Sequence, residues 1–176
     1  MSVVTLTGFM GTGKTTVGQR LAQRLSKPFI DTDTRIEKLA GVSVAAIFAD
    51  RGEPYFRTLE KQVIAEVACA DAVVATGGGA IVNPENYACL HAAGPIVCLQ
   101  ADAEVIVART GTDTSRPLLG SGERRARVRQ LLAERAPAYA LADLTIDTSH
   151  CDVETIVNDI VTFLRGYPRR GDEVQP

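Results

Sequence analysis

The residues from Gly8 to Thr15 read GFMGTGKT, which matches the phosphate-binding loop pattern G-x-x-x-x-G-K-[ST]. In such a loop, glycines let backbone N–H groups surround an anion, and Lys14 supplies a positive charge for the β- and γ-phosphates. The Thr15 hydroxyl is suited to bind Mg²⁺. The spacing therefore predicts a nucleoside triphosphate site. The predicted nucleotide contacts in this region are Gly11, Thr12, Gly13, Lys14, Thr15 and Thr16.

Two carboxylates, Asp31 and Asp33, follow the second apolar run of the chain. Ligands in open α/β sheets bind beyond the carboxyl ends of the strands, so both carboxylates are expected to face the phosphate site. One could serve Mg²⁺ and the other a substrate hydroxyl, although either could simply cap the next helix. The third apolar run ends in Thr76 and not in an Asp, so a metal carboxylate, if one is required, must come from Asp31.

Glycines and arginines supply candidates for holding a second substrate. The triplet Gly77–Gly79 could let a backbone touch a ligand closely, or it could be a flexible turn. Arg57 and Glu60 are three residues apart on a predicted helix and could form no more than a surface ion pair. Arg116 and Arg135 could likewise be solvated. Guanidinium groups do bind carboxylates bidentately and neutralise phosphoryl charge, as a kinase with an anionic acceptor requires.

Short β-rich runs alternate with helical patterns along the chain. This alternation predicts an α/β fold, with a doubly wound five-stranded parallel sheet flanked by helices. The predicted strands are Val3–Thr7, Phe29–Asp31, Ala72–Thr76, Ile96–Leu99 and Leu144–Asp147.

Capping residues and glycines mark the predicted helix ends. The predictions are a helix from Lys14 to Ser26, one with Thr34 in a capping box and Gly41 as its stop, a short one from Ser43 to Gly52, one from Pro54 to about Ala70, one from Asn83 to Gly94, and one from Asp102 to Arg109. The arginines at 124, 125, 127 and 129 are interpreted as a solvated helix face.

Two segments interrupt the alternation. Residues 110–122 are small and polar with an Arg-Pro pair in the middle, which predicts a mobile lid. Residues 166–176 lack periodic apolar positions, which predicts a disordered tail. The remaining 1–165 are expected to form a single domain, consistent with a chain of 176 residues that is 45% hydrophobic.

Charge and hydropathy exclude several classes of protein. The net charge of -2 provides no basic field for a nucleic acid or an anionic membrane. No apolar stretch reaches the roughly 20 residues needed to cross a bilayer, and no secretory leader pattern is visible at the start. Cys69, Cys89, Cys98 and Cys151 form no C-x-x-C pair and are expected to be buried free thiols in a reducing cytoplasm.

Taken together, the motifs resemble those of shikimate kinase from about Val3 to Phe163. The matching segments are Gly8–Thr15, Asp31–Asp33, Phe56-Arg57-x-x-Glu60, Ala75–Gly79, Arg116–Leu119 and Glu134-Arg135-x-Pro137-x-Tyr139. The resemblance implies a nucleoside monophosphate kinase-like P-loop fold in a small cytoplasmic enzyme, usually a monomer. It also implies that ATP and Mg²⁺ phosphorylate the 3-hydroxyl of shikimate, giving shikimate 3-phosphate and ADP in the pathway to chorismate and aromatic amino acids.

The resemblance implies three catalytic residues. Lys14 would hold the ATP phosphates, and Asp33 would orient the attacking hydroxyl and accept its proton. Arg116 would move in with the lid and stabilise charge on the transferring phosphoryl group. Thr15, with Asp31 through water, would hold Mg²⁺.

The resemblance also implies contacts to the adenine and to shikimate. Arg109 and the segment 147–152, including Asp152, would border the adenine. Arg57 and Arg135 would clamp the shikimate carboxylate, and Glu60 would hold Arg57 in place. The full set of implied shikimate contacts, with Phe48 and Phe56 as an apolar wall, is Asp33, Phe48, Phe56, Arg57, Glu60, Gly77, Gly78, Gly79 and Arg135.

Two other functions compete with this one. Gluconate kinase also combines an N-terminal phosphate loop with acidic residues after the second strand, but the glycine triplet and the Arg57/Arg135 pair argue against it. A non-catalytic P-loop module is a second alternative, and the presence together of Lys14, Asp33 and Arg116 argues against that.

Overall fold

Five parallel strands form the sheet in the computed structural model, which describes residues 3–111 and 124–168. Their order is β2-β3-β1-β4-β5. The sheet confirms the predicted doubly wound α/β class, and strand boundaries differ from the predictions by at most one residue at either end. The strands are β1 (Val4–Thr7), β2 (Phe29–Asp31), β3 (Val73–Ala75), β4 (Ile96–Gln100) and β5 (Leu144–Asp147).

Helices cover both faces of the sheet. They are α1 (Lys14–Leu25), α2 (Thr32–Ala40), α3 (Val44–Val67), α4 (Pro84–Ala93), α5 (Ala103–Thr110), α6 (Arg124–Tyr139) and α7 (Val153–Gly166), with a short 3-10 turn at Ala80–Val82. Successive strand residues point to opposite faces. Val73 and Val97 therefore pack with α1 and α7, whereas Val74 packs with α2 and α3, and Cys98 with α3 to α6. Burial on both faces explains why the strands are almost uniformly apolar.

One predicted helix start was wrong, and another is in the predicted place but lacks the predicted side-chain cap. Asp31 caps α2, accepting from the N–H groups of Asp33 and Thr34, so the helix begins before the predicted Thr34 cap. Asp102 occupies the N-cap position of α5, but its side chain makes no capping hydrogen bond. The Asn83 cap of α4 is confirmed. Helix α7 was not predicted, and it continues to Gly166, where the tail was expected to start.

A glycine divides α3 into two parts, as predicted. Gly52 has φ 76° and ψ 172°, a left-handed backbone conformation that interrupts the helix two residues before Pro54. Phe48 lies before this break and Phe56 after it, yet their ring centroids are only 4.8 Å apart. The kink therefore brings together two side chains that a straight helix would separate.

The cysteines are free, as expected, but only Cys98 is buried. Cys69 and Cys151 are exposed because they lie at the end of α3 and before α7, outside the core. Burial raises the pKa of the Cys98 thiol to about 11, and the nearby Lys14 charge opposes this shift. Within 3–111 and 124–168, no helix is long and apolar enough to cross a membrane.

Candidate active site

A cleft of about 620 Å³ opens where the P-loop faces the loop after β3. Its walls come from the P-loop and the start of α1, from α2 and α3, from the loop after β3, and from Arg135 of α6. The predicted site residues that line it are Gly11, Gly13, Lys14, Thr15, Thr16, Asp31, Asp33, Phe48, Phe56, Arg57, Glu60, Gly77, Gly78, Gly79 and Arg135. The fold thus brings both halves of the predicted site into one cavity.

The P-loop connects β1 to α1 through three glycines with positive φ, at Gly8, Gly11 and Gly13. A Cβ built on Gly8 would lie 2.1 Å from the carbonyl oxygen of Leu99, so the loop approaches β4 too closely for a side chain. The Lys14 ammonium donates to the carbonyl oxygens of Gly8 (2.8 Å) and Phe9 (2.9 Å), which holds it over the loop. This ammonium and the N-terminus of α1 together favour an anion.

Thr12 belongs to the loop but not to the cleft wall. Its side chain is 1% exposed. Its hydroxyl donates to the Phe9 carbonyl oxygen at 2.8 Å. The described contacts therefore give this side chain a role in holding the loop, and its predicted contact to ATP stays a prediction.

Asp31 uses its two carboxylate oxygens for different purposes. Oδ1 accepts from the N–H groups of Asp33 (3.0 Å) and Thr34 (3.3 Å), which caps α2. Oδ2 accepts from the Thr15 hydroxyl at 3.2 Å. The capping interpretation and the proximity to the phosphate loop are both correct for this residue. A hydroxyl and a carboxylate beside a phosphate site are the oxygen ligands that Mg²⁺ uses when phosphates complete its coordination.

The glycine loop, defined as Gly77–Gly79, has no room for side chains. A Cβ on Gly77 would lie 2.9 Å from Asp33 Oδ1 and 3.3 Å from Glu60 Oε1. A Cβ on Gly79 would lie 3.0 Å from Arg57 Nη2. Small residues here let the acidic and basic side chains close around the cleft.

Hydrogen bonds from two helices hold the glycine loop. The Gly77 N–H donates to the Thr32 hydroxyl at 3.1 Å, and the Tyr139 hydroxyl donates to the Gly78 carbonyl oxygen at 2.6 Å. The segment is a turn, and these two bonds tie it to α2 and α6.

Arg57 is held by two carboxylates of different exposure. Nη1 donates to Glu60 Oε2 at 2.8 Å, while Nε and Nη2 donate to Glu53 Oε1 at 3.1 and 2.9 Å. The Glu60 side chain is 1% exposed and that of Arg57 is 30% exposed, so the surface ion pair interpretation is wrong.

Burial and charge act in opposite directions on this pair. Burial raises the pKa of Glu60, and the Arg57 charge opposes this effect. Burial alone would lower the pKa of Arg57, but Glu60 and Glu53 raise it overall. The guanidinium therefore stays charged and faces the cleft in a fixed orientation.

Arg135 differs from the other arginines of α6. It is 8% exposed, and its Cζ lies 5.3 Å from the centroid of the Phe9 ring. By contrast, Arg125 and Arg129 are exposed and pair with Glu104 of α5, as predicted for a solvated face. The arginines at 124 and 127 are half-buried, so they are less exposed than Arg125 and Arg129.

Arg109 and Asp152, which are predicted to border the adenine, make contacts in different parts of the structure. Arg109 donates to the carbonyl oxygens of Gly11 (3.3 Å) and Thr148 (2.8 Å), which joins the P-loop to the segment after β5. Asp152 caps α7 by accepting from the Thr155 N–H at 2.9 Å, and it does not line the cleft. Its adenine contact stays a prediction. Arg116 and residues 112–122 of the predicted lid lie outside the described residues.

Thr32 and Tyr139, which hold the glycine loop, were assigned no role from the sequence. Thr148 belongs to the segment 147–152 that the resemblance places beside the adenine. Thr148 is 2% exposed and contacts the P-loop through the Thr12 carbonyl oxygen at 3.0 Å. A usable signal existed only for Tyr139, which lies four residues after Arg135 and thus on the same side of a helix.

Comparison with known proteins gives a consistent result. The family model described as Shikimate kinase matches residues 10–165. The shikimate kinase of Desulforudis audaxviator is 49% identical over 98% of this chain and 93% of its own length. That of Caldanaerobacter subterraneus is 46% identical over 92% of this chain and 95% of its own length.

A solved structure agrees with these sequence relatives. Shikimate kinase from Acinetobacter baumannii in complex with shikimate superimposes with a TM-score of 0.90 at 36% identity, covering 94% of this chain and 93% of that one.

Proposed function

The chain belongs to the shikimate kinase family, and we propose that it transfers the γ-phosphoryl group of ATP to the 3-hydroxyl of shikimate. One observation carries this proposal: the glycine loop gathers Asp33, Arg57 and Arg135 across the cleft from the P-loop. A carboxylate facing a phosphate site can receive an alcohol, and two guanidinium groups suit an acceptor that is itself a carboxylate.

The proposed mechanism depends mainly on alignment and charge, as is usual in phosphoryl transfer. Lys14 and the P-loop amides bind the triphosphate. Arg57 and Arg135 bind the shikimate carboxylate, which directs the ring hydroxyl toward Asp33. Asp33 accepts the hydroxyl proton as the oxygen attacks the γ-phosphorus, and ADP leaves with the bridging oxygen. Phe48 and Phe56 exclude water from the shikimate ring.

The residues present fit one magnesium ion. Thr15 and Asp31 offer a hydroxyl and a carboxylate oxygen 3.2 Å apart at the entrance to the phosphate site. In 3–111 and 124–168, no cluster of three or more His, Cys, Asp or Glu side chains could hold a metal by itself. Mg²⁺ commonly combines one or two protein oxygens with substrate phosphates and water. When bound, the ion would neutralise phosphate charge during transfer.

Arg116, Arg109 and Asp152 complete the proposal on the nucleotide side. Arg116 would neutralise charge on the transferring group, and Arg109 with the segment 147–152 would border the adenine. We also propose that the enzyme works as a cytoplasmic monomer, as expected from family resemblance. Size-exclusion chromatography with light scattering would test the monomer.

An ADP-release assay with three parallel reactions tests the function. The reactions contain ATP and Mg²⁺ with shikimate, with gluconate, or with no acceptor. We expect ADP release only with shikimate, together with a phosphate monoester on the 3-oxygen detected by ³¹P NMR. Equal rates with and without shikimate would refute the proposal, and a rate that depends on gluconate would assign the alternative kinase activity. A Lys14→Ala variant controls for contaminating kinases, since it should lose the shikimate-dependent rate.

A further inference from the structure

The hydroxyl of Tyr139 meets the glycine loop at a point that the proposed mechanism does not use. Tyr139 is the last residue of α6 and is 3% exposed. Its hydroxyl donates to the Gly78 carbonyl oxygen at 2.6 Å. It lies one helical turn after Arg135, so a single helix supplies both a guanidinium for the acceptor and a contact to the loop beside it.

Gly78 lies where the P-loop side of the cleft meets the side that is proposed to bind the acceptor. A Cβ built on it would lie 3.2 Å from the Gly8 carbonyl oxygen and 3.5 Å from the Met10 nitrogen, both in the P-loop. The same Cβ would lie 3.3 Å from Arg135 Nη1. A displacement of Gly78 would therefore move the glycine loop relative to Arg135 on the acceptor side, whereas the P-loop keeps its own bonds from the Lys14 ammonium.

The chemistry of the tyrosine suits a permanent donor. Burial raises the pKa of Tyr139 to about 12, and the charge of Arg135 together with its hydrogen bond to the Tyr139 hydroxyl opposes the shift. The hydroxyl therefore keeps its proton at neutral pH and can donate to a carbonyl oxygen in every turnover. A donor that does not titrate near neutral pH is suited to positioning and not to proton transfer.

We propose that Tyr139 is a positioning residue, whose hydroxyl holds the glycine loop beside Arg135 and so determines how well the acceptor binds. The inference rests on the proposed shikimate kinase activity and assigns to it a residue that does not line the cleft. Loss of the hydroxyl should leave the P-loop contacts of Lys14 unchanged. The effect should therefore fall on the acceptor and not on ATP.

The chain offers a matched control for this hydroxyl. Tyr87 on α4 also donates to a backbone carbonyl oxygen, that of Leu141, at 3.2 Å. Tyr87 does not line the cleft. The variants Tyr139→Phe and Tyr87→Phe thus delete the same kind of bond, one beside the cleft and one away from it.

Steady-state kinetics and calorimetry on both variants test the proposal. A single neutral hydrogen bond corresponds to about a three- to tenfold change in affinity. We expect Tyr139→Phe to raise the KM and the calorimetric Kd for shikimate by about that factor, with the KM for ATP changed less than about twofold. Tyr87→Phe should leave all three constants at wild-type values, although both variants could lower the Tm.

Several outcomes would overturn the proposal. One is a Tyr139→Phe enzyme with wild-type constants for shikimate, and another is an equal rise in the constants for shikimate and ATP. A second variant, Tyr139→Met, fills much of the same space and should reproduce the rise. If neither variant folds, the residue acts in stability and the proposal fails. Absence of shikimate-dependent turnover and of shikimate binding in the wild type would instead refute the proposed function itself.

Discussion

The donor and acceptor halves of the cleft are constructed in opposite ways. The donor half is one continuous stretch, residues 8–16, shaped by backbone with positive φ and by a lysine that contacts its own loop. The acceptor half takes Asp33 from α2, Arg57 and Glu60 from α3, and Arg135 from α6. A local pattern therefore specifies the donor half, whereas only the tertiary fold assembles the acceptor half.

This difference predicts that the two halves are sensitive to different kinds of substitution. The donor half has little tolerance for added atoms, because its backbone lies against β4. The acceptor half has little tolerance for a lost charge, because its carboxylates and guanidinium groups are partly or wholly buried.

Removing the carboxylate of Asp33 should abolish most chemistry without disturbing the donor half. We expect Asp33→Asn to lower kcat by about 10²- to 10⁴-fold, the usual contribution of a general base. The Kd for ATP, measured by calorimetry, should stay within about twofold of the wild type. Asp159→Asn on the exposed side of α7 is the matched control and should be neutral. A large loss of ATP affinity would place Asp33 on the donor side.

Adding a methyl group to the P-loop should damage the donor half through sterics. In Gly8→Ala, the new Cβ meets the Leu99 carbonyl oxygen at 2.1 Å and φ is 130°. We expect a loss of about 3 kcal/mol or more in unfolding free energy by urea titration, since backbone strain alone costs about 1 to 3 kcal/mol. Gly41→Ala has φ 73° but no atom within 4 Å, and should cost about 1 to 2 kcal/mol. Equal losses would contradict the steric argument.

Alkaline pH should lower the free energy of unfolding, because the Cys98 thiol and the Tyr139 hydroxyl are buried and keep their protons more strongly in the folded chain. Unfolding would return the pKa of Cys98 from about 11 to 9.0, and that of Tyr139 from about 12 to 10.0. Between the unfolded and folded pKa of each group, the unfolded chain loses a proton that the folded chain retains. The contribution of these groups to the free energy of unfolding is therefore fully present below pH 9 and is lost as the pH rises to 12.

The size of this effect follows from the two shifts. At about 1.4 kcal/mol per pH unit, each group accounts for at most about 2.7 kcal/mol. Urea titrations from pH 8 upward would measure the slope, and Cys98→Ala should flatten its lower part. A stability that does not change between pH 9 and 12 would contradict the burial of both groups.

The smallest predicted effects come from the two carboxylates that hold Arg57. Glu60→Gln removes the buried partner, whereas Glu53→Gln removes one whose side chain is 56% exposed. Charged hydrogen bonds in buried surroundings contribute more than exposed ion pairs. We expect about a tenfold rise in the KM for shikimate in Glu60→Gln, and less than about twofold in Glu53→Gln. Equal rises in the KM for shikimate would show that burial of the carboxylate does not affect how Arg57 binds shikimate.

The fold was largely predictable because each strand is a short apolar run bounded by turn residues. The helix caps were less predictable, since Asp31 and Thr34 are both good capping residues and only the path of the chain after β2 selects Asp31. Helix α7 was overlooked even though Asp152 caps it and four of its apolar residues lie at helical spacing on one side. That pattern was visible in the sequence.

The acceptor residues could not be derived from local chemistry. Arg135 and Arg129 are the same residue type on one helix, and the resemblance to a family was needed to separate them. The sequence does contain one physical clue. Arg135 lies in the buried stripe of α6 with Val128, Leu131 and Tyr139, and Glu60 lies in the stripe of α3. A charged residue within an apolar stripe is costly to bury unless it has a partner, which makes it a candidate for function.

The kink at Gly52 gives the acceptor half its concave shape. Phe48 and Phe56 are eight residues apart and would lie about 12 Å apart along a straight helix. With the kink, their rings are 4.8 Å apart and inclined at 37°. A straight α3 would present a convex rod to the substrate, which a flat ring could touch along only one line. The left-handed conformation of Gly52 bends the helix, so Phe48 and Phe56 form a concave surface that can contact a ring from two directions.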